Sequence, residues 1–258
     1  MTQRYRLTIE YNGSDYAGWQ RQENGRPQTI QGEIEKAVKA FSGQDTTVQS
    51  SGRTDAGVHA YGQIAHVDLE DLTRPMQPFE IAKAINAHLY PQPICILSAE
   101  PAPDDFHARF SAKNKRYIYR ILNRQAFPAI ERGFVWHIRR PLDVPAMQEA
   151  AQVLLGHHDF TTFRDSECQA QNPMRTLDRL DVSAREYDTG GGIEIRIAAE
   201  AKSFLHHMVR NLVGTLTLVG EGKWSAADVT EALEAKDRCA GGPTAPAAGL
   251  FLERVDYE

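Results

Sequence analysis

The chain has 258 residues, 41% of them hydrophobic and 24% charged, and its 29 Lys and Arg against 34 Asp and Glu leave a net charge of −5. These are ordinary globular values; no stretch reaches the 18 apolar residues of a membrane span, and Cys95, Cys168 and Cys239 form no Cys-x-x-Cys metal pair. A negative net charge, taken alone, also argues against a nucleic-acid partner.

Tyr5, Leu7, Ile9 and Tyr11 alternate with Arg6, Thr8 and Glu10, the period of a half-buried strand. The first residues carry no apolar run of a signal peptide, which makes the cytoplasm the expected compartment. Asn12-Gly13-Ser14 ends the strand. The loop that follows carries Tyr16 and Trp19, aromatics that stack on bases or, more commonly, pack on their own domain. Thr29 is placed to cap a helix with Ile30, Ile34, Ala37, Val38 and Phe41 on one face, stopped by Gly43. Thr46 to Ser50 reads as a short strand, Ser50 to Ala60 as a Gly-bracketed loop, and Ile64 to Val67 as a strand. Ile81, Ile85 and Leu89 mark a second helix, which Pro91 and Pro93 break before a strand at Ile94 to Leu97. Pro101-Ala102-Pro103-Asp104-Asp105 is the best linker in the chain, dividing it into domains at 1–103 and 104–258.

Beyond it, Tyr117, Tyr119 and Ile121 share one strand face and Arg116, Ile118 and Arg120 the other, with Phe134 to Ile138 as a neighbouring strand. Asp143 caps a helix with Pro145 in its first turn, running to Gly156, and His157-His158-Asp159 reads as its polar exit. Leu177 to Ser183 and Ile193 to Ile197 read as strands joined by Gly190-Gly191-Gly192. Ser203 to Val219 reads as the longest helix, with Leu205, Met208, Val209, Leu212, Val213 and Leu216 on its apolar side and Lys202, His206 and Arg210 as a stripe along that side's edge. Ser225 caps a last helix, and Leu250, Leu252 and Val255 close the chain as a strand. The predicted class is α+β: two similar α/β halves with mixed, mostly antiparallel sheets, the basic stripe suiting a groove between them.

Charge is unevenly spread. From Phe106 to Arg140 nine Lys or Arg face the single acid Glu131, so this segment carries +8 and the remainder −13. Within it, Lys115-Arg-Tyr-Ile-Tyr-Arg120 interleaves cations with aromatics, as in a surface that contacts phosphates and stacks bases, or in a strand with one core face and one wet face. Lys113, Lys115, Arg116 and Arg120 are candidates for phosphate contacts. In the loop from Ser50 to Ala60, Gly52 and Gly57 permit a tight turn that sets Arg53 beside Asp55. A neighbouring guanidinium lowers an Asp pKa by about 1 to 3 units and keeps the carboxylate ionised for use as a nucleophile or base; the plainer alternative is an Asp that caps the turn. Adjacent His206 and His207 would point about 100° apart on a helix with no acid one turn away, so no metal site is expected there. With no nucleotide-binding fingerprint, Gly-x-Ser-x-Gly elbow or redox motif, an enzyme of this sequence needs neither cofactor nor metal. The residues leave three classes open: an enzyme working through Asp55, a silent RNA-binding module using the basic strand, and a metal-dependent hydrolase using Asp55 and His59.

The run Ser51-Gly-Arg-Thr-Asp-Ala-Gly-Val-His59 strongly resembles the signature loop of the TruA family of tRNA pseudouridine synthases. Asp105-Phe-His-Ala-Arg-Phe-Ser-Ala112 with Arg116-Tyr117, Phe204 to Gly214, Ala235-Lys-Asp237 and Gly249-Leu250 follow in the family's order, so the resemblance spans essentially the whole chain. It implies the pseudouridine synthase fold, with a central active-site cleft, and isomerisation of uridines 38 to 40 in the anticodon stem-loop of tRNA. It also implies that Asp55 is the catalytic aspartate, Arg53 its loop partner, Tyr117 the active-site tyrosine and Arg210 the arginine that pairs with the aspartate. Substrate-binding positions implied are Arg53, His59, Arg109, Lys115, Arg116, Tyr117, Phe204 and His207. The partners implied are tRNA and a second copy of the chain, with no metal, small-molecule cofactor or membrane.

Overall fold

A computed structural model describes residues 2–22, 27–72 and 74–258. Two compact units emerge, residues 1–113 with 251–258 (unit 1) and residues 114–250 (unit 2). Unit 1 runs through β1 (Gln3–Tyr11), α1 (Ile30–Ser42), β2 (Gln49–Ser50), β3 (His59–Leu69), α2 (Pro78–Leu89) and β4 (Ile94–Ala102). Unit 2 supplies β5 (Asn114–Asn123), β6 (Trp136–Ile138), α3 (Val144–Gln152), β7 (Gly156–Asp159), β8 (Met174–Leu177), β9 (Arg179–Glu186), β10 (Ile193–Ala201), α4 (Met208–Gly220) and α5 (Ala226–Ala235). The chain then returns to unit 1 as β11 (Leu250–Asp256).

In unit 1 the strand order is β4-β1-β3-β11. β1 is antiparallel to both neighbours, with Leu7 opposite Ala65 and Ala99, while β11 lies parallel to β3 with Phe251 opposite His59. α1 begins where Thr29 Oγ1 accepts from Gly32 N at 3.3 Å and stops at Gly43, whose φ is +75°. α1 packs on α2, and α2 on β4. The alternating residues Leu7 and Ile9 are fully buried, as are Ile34, Val38, Ile81 and Ile85 of the helices. Burying each such side chain contributes about 1.5 to 3 kcal/mol, against about 1 for the Thr29 cap, so the apolar face holds α1 in place and the cap sets its start. In unit 2, β10 pairs antiparallel with β5 and β9, β6 lies parallel to β5, and β7 and β8 form a separate hairpin. α3 packs on β9 and α4 on α3 and β5, over a core that includes Tyr119, Ile121, Ile195, Ile197 and Leu212. The class is α+β with mostly antiparallel pairing, and among the described residues no helix is long and apolar enough to cross a membrane.

Several elements differ from their sequence reading, each for a physical reason. Pro101 and Ala102 end β4 opposite Tyr5 and Arg4 instead of starting a linker; β4 is at the end of the strand order, where a proline interrupts no inner ladder. The unit boundary therefore falls after residue 113, ten residues beyond the sequence-based one, and no single cut describes it because β11 belongs with unit 1. α3 stops at Gln152, and Gly156, with φ +99°, opens a hairpin in which His157, His158 and Asp159 pair with Thr176, Arg175 and Met174. α4 begins at Met208, not Ser203, since His207 sits in the left-handed region at φ 58°. Lys202, His206 and Arg210 consequently form no helical stripe.

Candidate active site

Within unit 1 the loop between β2 and β3 is tied down along its length. Ser51 donates from N to Ile64 O and from Oγ to Gln63 Oε1, each at 2.7 Å, and Gln63 Nε2 donates to Gly52 O at 2.9 Å. Trp19 N donates to Thr54 O at 3.0 Å and Gly57 N to Tyr16 O at 3.3 Å, while Val58 N closes the turn on Asp55 O at 3.2 Å with Gly57 at φ +78°. Gly18 makes the close approach possible: its φ is +93°, and a Cβ there would lie 2.5 Å from Thr54 O. The hydroxyls of Tyr11 and Thr54 share a 2.7 Å hydrogen bond. Burial pushes the Tyr11 phenol well above its ordinary range, and the charge on Asp55 adds to the shift, so at neutral pH the phenol keeps its proton. The result is a half-buried Asp55 carboxylate on a backbone fixed on both sides.

These contacts revise several readings. Tyr16 and Trp19 are buried parts of the loop's frame and present no face for base stacking. His59 is 1% exposed, its Nδ1 accepts from Gly13 N at 3.1 Å and its ring stacks on Phe251 at 4.7 Å; it supports the loop, and burial removes it as an open ligand for substrate or metal. Arg53 is exposed and, among the described residues, makes no ion pair with Asp55; both side chains are near the loop tip, but they do not form the pair expected from their spacing. Arg109 is exposed beside Phe110, with its guanidinium carbon 5.8 Å from the ring centroid.

In unit 2, two of the predicted residues touch each other. The Tyr117 ring on β5 meets Phe204 edge-on, with centroids 5.2 Å apart and planes at 86°. Two residues on, buried Tyr119 donates from its hydroxyl to Pro246 O at 2.7 Å. Arg210 Nε donates to Ala245 O at 2.7 Å and Ala245 N to Arg210 O at 3.1 Å. The adjacent Asn211 donates to Phe163 O at 2.9 Å and accepts from Thr244 Oγ1 at 2.7 Å and Arg238 Nη2 at 3.2 Å. The segment 241–249 is thus pressed against α4 and aims the Arg210 side chain. His207 donates from Nδ1 to Asp165 Oδ2 at 2.6 Å, His206 Nδ1 lies 3.9 Å from Asp165 Oδ1, and the two imidazoles are 4.0 Å apart. The histidines therefore stand together over one carboxylate, contrary to the helical reading. A hydrogen bond from Glu167 N holds that carboxyl below its ordinary value, helped by His207.

The basic strand is less available than its composition suggests. Lys115 and Arg120 are buried; Arg120 Nε donates to Glu194 Oε1 at 2.8 Å and its Nη1 lies 3.1 Å from Glu131, while Arg116 Nε lies 3.4 Å from Glu200. The antiparallel register of β5 on β10 brings Glu194 and Glu200, from outside the basic segment, beside Arg120 and Arg116; with Lys115 buried, this corrects Lys115, Arg116 and Arg120 as open phosphate contacts. Asp165, Asn211 and Ala245 went unread because their partners are remote in sequence and no local pattern marks them.

The family described as tRNA pseudouridine synthase matches residues 7–111 and 150–258. The chain belongs to that family. As a tRNA pseudouridine synthase family member it is an isomerase. Relatives named tRNA pseudouridine synthase A support the membership. That of Paramagnetospirillum magneticum is 55% identical over 98% of this chain and 95% of its own, that of Xanthobacter autotrophicus 54% over 98% and 99%, and that of Caulobacter sp. 54% over 99% and 98%. A solved structure described as an unknown protein from Galdieria sulphuraria is 14% identical, covering 86% of this chain and 94% of its own at a TM-score of 0.26, too weak a likeness to bear on the fold. The Asp55 loop, Phe204, His207 and Arg210 fall inside the family match; Tyr117 and the loop after β5 lie between its two stretches.

Proposed function

We propose that this chain converts uridine to pseudouridine at positions 38, 39 and 40 of the anticodon stem-loop of tRNA, acting as a cytoplasmic homodimer without cofactor or metal. Asp55, Tyr117 and Arg210 are the catalytic residues. The observation that carries this reading is the half-buried Asp55 carboxylate on a loop tied down on both sides, an arrangement that holds a reactive group in one geometry before substrate arrives.

The reaction breaks the bond from uracil N1 to ribose C1′, turns the base and joins C5 to C1′; the C5 proton leaves and N1 gains one, so composition is unchanged. Asp55 acts on the ribose as a carboxylate, either by attack at C1′ or by taking a sugar proton. Flipping the target nucleotide out of its stack costs a few kcal/mol, and stacking on an aromatic returns about 1 to 3 kcal/mol per base. Phe204, half-buried and edge-on to the buried Tyr117, fits that stacking role, with Tyr117 behind it. Arg210, its Nε fixed on Ala245 O, is the cation this reading assigns to the reaction. In this reading Arg53 and Arg109, both exposed, contact phosphates, and His207, held by Asp165, contacts substrate.

The test uses unmodified tRNA transcripts carrying 5-tritiated uridine. Wild-type protein releases tritium and leaves pseudouridine at 38 to 40. Asp55→Asn binds tRNA within a few-fold but loses turnover by about 10³-fold or more; release by this variant near the wild-type rate overturns the assignment. Binding without turnover by the wild type would leave only an RNA-binding module.

A further inference from the structure

We propose that residues 124–140 of unit 2 form a separate RNA-docking element that grips the sugar-phosphate backbone of the tRNA; this rests on the tRNA reading above. The segment joins β5 to β6 and continues past it, between the two stretches of the family match. Its tip is unusually apolar for a surface: Phe127 is 70% exposed and Ile130 90%. Around it Arg132, Arg139 and Arg140 are exposed, and among the described residues none of these three guanidinium groups has an ion-pair partner.

Two other arginines do the opposite and brace the loop from within. Arg124 donates to Ala126 O at 3.0 Å and Phe127 O at 3.2 Å, pairs with Asp188 and lies 5.3 Å from the Tyr187 ring centroid. Arg120 holds Glu131 at 3.1 Å. Gln125 Nε2 donates to Arg139 O at 3.2 Å and Phe134 N to Glu131 O at 2.9 Å, so the loop is an ordered shelf. A groove lined by Arg124, Gln125, Arg139, Pro141, Gly190 and Gly191 runs between this shelf and the turn joining β9 to β10.

The segment's four cations and one acid sort themselves by direction. Arg124 and Glu131 are spent on inward pairs, leaving three positive charges outward on a chain whose net charge is −5. A polyanion meets a chain of net negative charge and, here, three unpaired cations, and apolar side chains in the same segment as unpaired guanidinium groups suit ribose and base faces flanking phosphates. Charge complementarity thus selects RNA as the occupant over an apolar protein partner.

The experiment compares the full chain with Arg132→Gln/Arg139→Gln/Arg140→Gln, measuring tRNA affinity across salt and steady-state pseudouridine formation. The expected result is a rise of about tenfold or more in Kd and KM at about 0.1 M salt, with the log–log salt slope reduced by about 2 to 3 and kcat at saturating tRNA within about twofold. Phe127→Ser/Ile130→Ser raises KM by a few-fold. Unchanged Kd and slope in the triple variant overturn the proposal; so does unchanged RNA affinity with an altered oligomeric mass, which would make the shelf a protein interface. A wild type that binds tRNA without forming pseudouridine defeats the isomerase reading, while the Kd and slope comparison still decides this one.

Discussion

The Asp55 loop of unit 1 and the approach to α4 in unit 2 each hold a functional side chain still, by different means. Around Asp55 the fixing bonds come largely from main-chain groups: Trp19 N to Thr54 O, Gly57 N to Tyr16 O, Ser51 N to Ile64 O. Around His207 and Arg210 side chains take a larger share: His207 to Asp165, and Thr244 and Arg238 to Asn211. A scaffold of main-chain bonds tolerates most side-chain replacements and fails where the backbone itself is forced aside. One built from side chains fails at single positions, because a buried partner left unsatisfied costs about 1 to 3 kcal/mol.

The sharpest way to break that contrast is Gly18→Ala. The added Cβ meets Thr54 O at 2.5 Å in a backbone at φ +93°, so the loop must move; turnover is expected to fall at least tenfold, with a stability loss of about 1 to 3 kcal/mol or more read from the thermal midpoint. Thr54→Val, which removes only the hydroxyl bonded to Tyr11, should leave turnover within a few-fold. A larger loss from Thr54→Val than from Gly18→Ala would show that side chains hold this loop after all. In unit 2, Asp165→Ala removes the acceptor of His207 and is expected to cost about 1.5 to 3 kcal/mol and to raise KM for tRNA several-fold. If neither moves, the α4 approach does not depend on that carboxylate.

Acid should separate the units in order. His66 in β3 is buried, and its Nδ1 accepts from Ala108 N at 3.2 Å; burial first, then the Arg4 charge, holds it down to about 4. Its neutral form belongs to the folded state, so its contribution is whole above the ordinary 6.5 and is lost as pH falls toward 4. Glu194 in β10 is pushed up by burial, but Arg120, Arg185 and Arg196 overcome this and hold it at about 2. Its contribution is whole above the ordinary 4.5 and is lost as pH falls toward 2. Hydrogen exchange followed down the pH scale is expected to show β3 of unit 1 weakening before β10 of unit 2, and the reverse order would contradict both assignments. The smallest effect is at α1: Thr29→Ala removes one capping bond for about 1 kcal/mol, visible as a shift of about 2 to 4 °C in thermal midpoint and without effect on turnover.

The same division explains what sequence could convey. Period and caps are local, so β1, α1 with Thr29 and Gly43, α3 at Asp143 and α5 at Ser225 were legible, and the Asp55 loop was legible as a motif. Pairings that close across long separations were not. Glu194 and Glu200 neutralise the basic strand only because the register of β10 on β5 sets them beside it. Asp165 meets His207 from 42 residues away, and the left-handed turn at His207 replaces a helix that the apolar spacing from Leu205 onward would have continued. Arg53 and Asp55 show the converse: adjacency in a loop fixes which residues are present, not which way the side chains turn.

β11 closes unit 1 late. Phe251 stacks on His59, and Leu252 pairs with Ala60 at the head of β3, so the wall behind the Asp55 loop is finished by residues translated after the whole of unit 2. On a ribosome the loop emerges early with this flank uncovered, and it waits for nearly the entire remaining message before its last support arrives.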